Sequence, residues 1–374
     1  MIAPRLTLLA ATALVLAAAD VGAGRLRTML TEWRQQPAAG EAADLARDFR
    51  VQHPVYSHDL APGFEGAATW GPIRYRMRTN SLGFRDAAPR AVPARGAAPR
   101  LLLIGDSFLE GPGVDYASTV PALVAAQYAG RGLDVLNAGV LSYSPVIYWK
   151  KIAYLLERGL QFDAAAVFID ISDIQDEAAW YRLDGAGHVV EAAAPPFDLL
   201  HAWMRASLTF RGLVKASQLI YPHAPIAGCR VPEPNDYGCR AGWTASPLVM
   251  DRYGREGLRL ASERMSALAA LLRRHGIPLV VVVYPWPQQL WWNDRASQQV
   301  RHWRDWSRRD GVEFVELFTP FFDEADARGT RQAVDRYFIP GDIHWSAEGH
   351  ELAAAGFSRG ASGLLERLGA RPVP

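Results

Sequence analysis

The chain is expected to fold as an α/β protein built on a parallel sheet with helices on both faces. Three observations predict this. From about residue 100, apolar runs of strand length recur, each separated from the next by a segment with helical spacing. The runs are continuously apolar rather than alternating, as in strands buried on both faces. Hydrophobic residues make up 49% of the 374, ample for one large or two ordinary domains. An N-terminal extension precedes the alternating region, and an insertion interrupts it after the third strand.

The elements follow in order. Leu101–Ile104 is the first buried strand, closed by Gly105. Ser118 and Thr119 cap a helix with Pro121 in its first turn, running to about Ala129. Leu133–Leu136 is the second strand. Val146 to Arg158 places Ile147, Ile152, Leu155 and Leu156 at helical spacing, and Ala164–Ile171 is the third strand. A helix over Leu258–Arg274 leads to the fourth strand, Leu279–Tyr284. A helix from Ser297 to Arg309 leads to the fifth, Val312–Leu317, and a last helix from about Ala347 to Leu368 closes the core. In such sheets ligands sit at the carboxyl ends of the strands. Ser107, Gly139 and Ser172 each fall just past one of those ends.

Outside the core the pattern changes. Arg5 precedes an apolar run, Leu6 to Ala19, and Ala17-Ala18-Ala19 offers a small-residue cleavage site. A spanning helix needs about 20 residues, so residues 1–24 read first as a cleaved export signal. An uncleaved anchor reaching through Val21-Gly22-Ala23 is the alternative, and would give membrane association through the N-terminus. Residues 25–95 form the extension. It comprises a polar stretch, short strands with Tyr75, Met77 and Thr79 alternating, and the start of an Ala/Pro/Arg linker from Ala87 to Pro99. Within it, Asn80 and Arg85 are expected to brace a loop, with substrate contact as the alternative.

The insertion covers about 178–250 and is expected to be helical over residues 195–221. Trp180, Trp203 and Trp243 within it either pack it onto the core or stack on sugar rings. Cys229 and Cys239 are the two cysteines, set in a loop rich in Pro and Gly. An even pair in an exported chain reads as a disulfide. Zinc is the competing reading, but no His pair accompanies them and His223 alone is a surface residue. A formal net charge of +1 argues against a nucleic-acid partner.

The chemistry lies in two short motifs. LLLIGDSF exposes Ser107 at the end of a buried strand, and GDIHWSAEGH supplies Asp342 and His344. A serine is a weak nucleophile until a His takes its proton, and that His needs an acid to orient it. Asp106 is expected to shape the turn rather than serve as the acid. His350 is expected to pack at the start of the last helix.

With Gly105-Asp106-Ser107, Asn137-Ala138-Gly139 and Asp342-Ile343-His344 in this order, the chain resembles the SGNH/GDSL hydrolases, which are esterases and acyltransferases. The resemblance implies a three-layer αβα flavodoxin-like fold, with residues 96–374 as the catalytic domain. It implies Ser107, His344 and Asp342 as catalytic residues, and the N–H groups of Ser107 and Gly139 as oxyanion donors. The last block is D-x-H, one residue shorter than the family's common D-x-x-H. The third block, usually G-x-N-D, here reads Asp170-Ile171-Ser172-Asp173, so Ser172 stands where the Asn donor would be. Losing an oxyanion donor can raise the barrier by ~3 kcal/mol.

The expected activity is hydrolysis of an acyl ester, acetyl in the first place, on an envelope or extracellular glycan or a small ester. O-acyl transfer to such a glycan and a non-catalytic glycan-binding role are the alternatives. No cofactor and no metal are expected, and the compartment is periplasmic or extracellular, with or without an inner-membrane anchor. Asp170, Asp173, Asp176 and Glu177 read as solvated loop or helix-start carboxylates, with a metal site as the alternative. Tyr284-Pro285-Trp286-Pro287 reads as a carbohydrate subsite or a rigid turn.

Overall fold

The structure, a computed structural model, describes residues 12, 15–27, 29, 49–192, 207–209 and 237–369. Cys229, Trp203, His223 and all but 207–209 of the expected helix over 195–221 lie outside the described residues, as does most of the apolar N-terminal run. The described residues before 30 belong with 207–209 to one compact unit, and all the others to a second. In the first unit residues 15–27 are helical. There the Asp20 carboxylate accepts hydrogen bonds from Ser207 Oγ and, at 3.0 Å, from Thr209 N and Oγ1. No described helix is long and apolar enough to cross a membrane.

The second unit opens with the extension. Strands β1 (Arg50–His53) and β2 (Ser57–Leu60) pair antiparallel, and β3 (Glu65–Trp70) and β4 (Ile73–Arg78) form a hairpin. Alternation in β4 buries Tyr75 and Met77 and leaves Arg74 and Arg76 outside. Residues 79–86 form the expected braced loop: Asn80 Oδ1 accepts from the N–H groups of Leu82 (3.0 Å) and Phe84 (3.2 Å). Residues 87–99 carry neither helix nor strand. The extension is fastened to the core by a buried ion pair. Lys151 Nζ lies 2.8 Å from Asp59 Oδ1 and 3.1 Å from the Tyr143 hydroxyl.

The core then alternates as expected. Strand β5 (Arg100–Ile104) leads to a short helix α1 (Ser107–Glu110) and to α2 (Val120–Gln127). Next come β6 (Asp134–Asn137), α3 (Pro145–Glu157), β7 (Ala164–Ile169) and α4 (Asp173–Ala179). The described parts of the insertion include a hairpin, β8 (Tyr181–Leu183) with β9 (Val189–Glu191), α5 (Tyr237–Ala241) and the short helical turns Gly242–Thr244 and Pro247–Val249. A π-helical turn, Met250–Gly254, opens the long α6 (Arg255–Arg274). Strand β10 (Leu279–Val283), α7 (Pro287–Trp291), α8 (Gln298–Asp310) and β11 (Glu313–Glu316) follow. The chain closes with α9 (Phe318–Arg328), α10 (Thr330–Tyr337), α11 (Ala347–Gly360) and α12 (Ser362–Gly369).

The five core strands are all parallel, in the order β6-β5-β7-β10-β11. This is the doubly wound 2-1-3-4-5 order, whose reversal beside the first strand opens a crevice at the carboxyl ends of the first and third. Strands β5, β7 and β10 are buried along their whole length, which is why they read as unbroken apolar runs. Helices α3, α6 and α8 pack in one row and α2 packs on α11, completing three layers. Gly257 permits the crossing of α6 over α4, since a Cβ there would stand 1.9 Å from the Ile174 carbonyl oxygen.

Three expectations are corrected. The last helix is broken at Ala361. Gly360 is placed there for a close approach, because a Cβ would stand 2.6 Å from Val315 Cγ1, and glycine costs about 1 kcal/mol in a continuing helix. The third strand ends at Ile169 because the next residues turn on side-chain bonds of Asp170 and Asp173. Helices α7, α9 and α10 lie where no helix was expected, since two of them start at a turn-like Trp286-Pro287 and beside Gly329.

Candidate active site

Asp106 turns the chain out of β5. Its Oδ1 accepts from the Phe108 N–H at 2.9 Å, which starts α1, and Gly111 ends that helix in the left-handed region at φ 76°. Asp106 thus has the turn-shaping part expected of it. Ser107 is the first helical residue, and its Oγ lies 2.7 Å from His344 Nε2 and 3.3 Å from Asp106 Oδ2. His344 Nδ1 stands 2.5 Å from Asp342 Oδ1. Ser107 and His344 are each only 4% exposed.

The two-residue step from Asp342 to His344 has a local cause. Asp342 Oδ1 also accepts from the backbone N–H groups of Ile343 (2.6 Å) and His344 (3.0 Å), so the side chain folds over its own loop. Gly341, at φ 76°, lets the loop double back, and the Ile339 N–H closes it on the His344 carbonyl at 2.8 Å. The remaining oxygen, Oδ2, accepts from the Trp70 indole N–H at 2.8 Å. Burial alone would raise the Asp342 carboxyl, but the His344 bond and charge, its backbone N–H and Trp70 bring it down to about 2. The carboxylate is therefore ionised at neutral pH, and with His344 Nδ1 turned to it the other ring nitrogen, Nε2, is the one that meets Ser107.

Gly139 lies against the helix that carries Ser107. A Cβ on it would stand 2.6 Å from Leu109 Cβ, so only glycine allows the approach. Asn137 ties the two together, donating from Nδ2 to the Leu109 carbonyl at 2.9 Å and accepting from the Gly139 N–H at 3.1 Å. Ser172 follows β7, the strand beside β5, with its N–H on Asp170 Oδ1 at 2.7 Å. Its hydroxyl has no partner among the described residues. The structure therefore joins Ser107, His344 and Asp342 in one hydrogen-bonded row, packs Gly139 on the same helix, and leaves Ser172 at the neighbouring strand end without a bond to the three.

Beneath the row lies an acid cluster that overturns the reading of solvated carboxylates. Asp106, Asp170, Asp173, Asp176 and Glu177 are all buried. Carboxylate oxygens of Asp106, Asp170 and Asp173 lie within 4.8 Å of one another. Tyr284 O–H donates to Asp106 (3.1 Å), Trp286 N–H to Asp170 (2.6 Å) and Tyr148 O–H to Asp173 (2.9 Å). Burial and the neighbouring carboxylates push Asp106 and Asp173 well above the usual range. Arg240, on α5, donates to both oxygens of Asp176, which burial nevertheless holds at about 6. Burial and mutual repulsion thus favour the protonated form of Asp106 and Asp173, while Tyr284, Trp286 and Tyr148 supply donors to the cluster. Tyr284 and Trp286 are internal, so they form no carbohydrate subsite.

The other expectations fall out as packing. His350 is buried, held neutral at about 3 by burial and by the charges of Arg85 and His344, and accepts from the Val120 N–H at 3.3 Å. Trp243 is buried with its N–H on the Ile171 carbonyl at 2.8 Å. Arg85 is buried and bonds backbone carbonyls only. Cys239 is buried in α5, and its expected partner is outside the described residues. Sequence reasoning missed Trp70, which sits in a hairpin far from either motif; an isolated indole in an extension carries no local signal.

A cavity of about 500 Å³ opens beside the Gly139 loop. Its walls include Arg50, His58, Ser142, Tyr181 and Arg240.

The sequence profile of the GDSL-like lipase/acylhydrolase family matches residues 103–352. The chain belongs to that family. As a GDSL-like acylhydrolase it is an enzyme that acts on ester bonds. No curated protein sequence matches this chain. Among solved structures, the GDSL-like chain is similar to one titled TesA, at 11% identity and a TM-score of 0.39, covering 71% of this chain and 99% of that one. It is similar to LAE5, an alpha/beta hydrolase from the metagenome of Lake Arreo, Spain, at 15% identity and TM-score 0.38, over 72% and 98%. It is also similar to Axe2, an acetylxylan esterase from Geobacillus stearothermophilus, at 13% identity and TM-score 0.38, over 72% and 96%.

Proposed function

We propose that this family member is a serine esterase that removes an acyl group, acetyl in the first place, from an envelope or extracellular glycan or a small ester. The row Ser107 Oγ, His344 Nε2, His344 Nδ1, Asp342 Oδ1, with steps of 2.7 and 2.5 Å, carries the reading. His344 takes the Ser107 proton as Oγ bonds the ester carbonyl carbon, and Asp342 stabilises the imidazolium. The carbonyl oxygen gains the negative charge and is met by the Ser107 N–H and the Ser172 hydroxyl, and by the Gly139 N–H as it turns from Asn137 Oδ1, which it bonds at 3.1 Å without substrate. Collapse breaks the ester C–O bond, the alcohol leaves with the proton from His344, and an acyl-Ser107 remains. Water, deprotonated by His344, then releases the acid and restores the serine.

The third block, with Ser172 where the family has Asn, favours one second reading, in which a sugar hydroxyl takes the acyl group in place of water. Export of the chain and a Cys229–Cys239 disulfide belong to the same proposal; periplasmic recovery and the mass of the unreduced, alkylated chain test them. The central test is p-nitrophenyl acetate turnover by the full chain beside its Ser107→Ala variant. Turnover that vanishes in the variant supports the acyl-enzyme, and turnover that survives it defeats the reading. Acylated oligosaccharide formed from the same donor would mark a transferase. Ser172→Ala should lower kcat about 10²–10³-fold if its hydroxyl meets the oxyanion.

A further inference from the structure

The acid of the row is not held by its own loop alone. Three donors from residues 343 and 344 meet Asp342 Oδ1, and all belong to that loop. Oδ2 receives the Trp70 indole N–H, at 2.8 Å, from a residue outside the segment the family profile matches. The same indole stands edge-on to the His344 imidazole, with ring centroids 4.8 Å apart and planes at 82°. One side chain of the extension therefore touches both members of the His–Asp pair.

Trp70 does not reach in by itself. It ends β3, and its Cδ1 lies 3.5 Å from where a Cβ on Gly113 would be, in the loop that follows the Ser107 helix. Arg85 holds that loop from the same extension, donating to the carbonyls of Glu110 (2.6 Å), Gly111 and Val114 (2.6 Å). Arg50 grips the end of the helix through the buried Glu110 carboxylate, at 2.6 and 3.0 Å, and Glu110 in turn accepts the Leu141 N–H at 2.7 Å. The extension thus fixes the segment after Ser107 on one side and the Asp342 carboxylate on the other.

The physical consequence concerns geometry. A carboxylate bonded through one oxygen can rotate about its Cβ–Cγ bond, and its lone pair then swings off the imidazole N–H. A donor on the second oxygen stops that rotation. The indole also packs against the buried imidazole, which limits its tilt. We propose that Trp70 is a positioning residue of the reaction and that the N-terminal extension is a working wall of the active site; this rests on the serine-esterase reading above. Trp70 acts through Asp342 and His344 and touches neither the nucleophile nor the ester.

The test compares the full chain with its Trp70→Phe variant, which keeps a ring and loses the N–H. We expect kcat on p-nitrophenyl acetate to fall about 10- to 100-fold with little change in KM, because the residue orients the pair without binding substrate. Thermal melting verifies that the variant folds. The low-field proton resonance of the His344 Nδ1–H, followed in a Ser107→Ala background, should move upfield or vanish on adding Trp70→Phe; a residue that only packs the hairpin would leave it in place. Should Trp70→Phe not fold, benzothienylalanine at position 70 exchanges only the N–H for sulfur and carries the same comparison. A folded variant with wild-type kcat and an unmoved resonance overturns the proposal. A wild-type chain without turnover sinks the esterase reading instead, and the resonance then decides separately whether Trp70 sets the His344–Asp342 geometry.

Discussion

Replacing Asp342 by Asn tests the row at its far end, and the hydrogen bonds around the carboxylate say how the variant should behave. An amide has one accepting end and one donating end. With its oxygen where Oδ1 now lies, it keeps the three donors at 2.5, 2.6 and 3.0 Å, and its NH₂ meets the Trp70 N–H donor to donor. Turned over, it keeps Trp70 but confronts two backbone N–H groups and forces the proton of His344 onto Nε2. The first orientation preserves three bonds against one, so it should dominate and leave the imidazole in its working tautomer.

The loss then comes from the missing negative charge opposite the imidazolium and from the clash with Trp70. We expect kcat/KM on p-nitrophenyl acetate to fall by about 10³ to 10⁴, toward the low end of what a wrong-tautomer substitution costs. The clash makes a sharper prediction. Trp70→Phe, harmful in the wild-type chain, should cost little or even recover activity in the Asp342→Asn background, because it removes the opposing donor. Four proteins measured under one condition give a coupling of at least tenfold, or about 1.4 kcal/mol. An Asp342→Asn enzyme with wild-type kcat/KM would refute the role of Asp342. Two losses that simply multiply would refute the bonding geometry.

Three further outcomes follow from the structure. Lys151→Met leaves Asp59 buried without its cation and should lower stability by about 3–5 kcal/mol in urea unfolding, with part regained on adding Asp59→Asn; an unchanged midpoint would contradict the pairing. Burial raises Glu177 from its ordinary 4.5 to about 7, so its contribution is complete below pH 4.5 and disappears as the pH climbs through 7. That loss amounts to roughly 3 kcal/mol. Glu177→Gln, which can still accept from Ser144 and Val146, should flatten this part of the stability–pH curve, and an unaltered slope would count against a buried, protonated Glu177. Gly139→Ala drives a Cβ to 2.6 Å from Leu109 Cβ, and should destabilise the fold by about 1–3 kcal/mol and lower kcat by shifting the Ser107 helix; normal melting and turnover would show the contact to be soft.

Much of this protein is readable residue by residue. The unbroken apolar runs of β5, β7 and β10 follow from burial on both faces, and the period of two in β4 follows from burial on one. The turn after β5 is legible because Asp106 is the residue type such a turn needs. The break at Ala361 was not legible, because its cause is the approach of Val315 to Gly360. The burial of the acids around Asp106 was misread because Tyr148, the Tyr284–Trp286 segment and Arg240 come to them from three separate parts of the chain.

By itself the sequence pointed to the sheet, to the strand ends, and to Ser107, Asp342 and His344, which the structure joins in one hydrogen-bonded row. Those depend on local period, turn chemistry and order along the chain, which a one-dimensional string carries. Tertiary structure alone decided that the acids under the site are buried, that the Gly139 N–H has Asn137 as an acceptor, and that Trp70 completes the bonding of Asp342. The first is a matter of solvent exclusion, the second a local turn held by the Asn137 side chain against the Ser107 helix, and the third a meeting of residues distant in sequence. Such meetings are set by how layers pack, and no spacing along the chain encodes them.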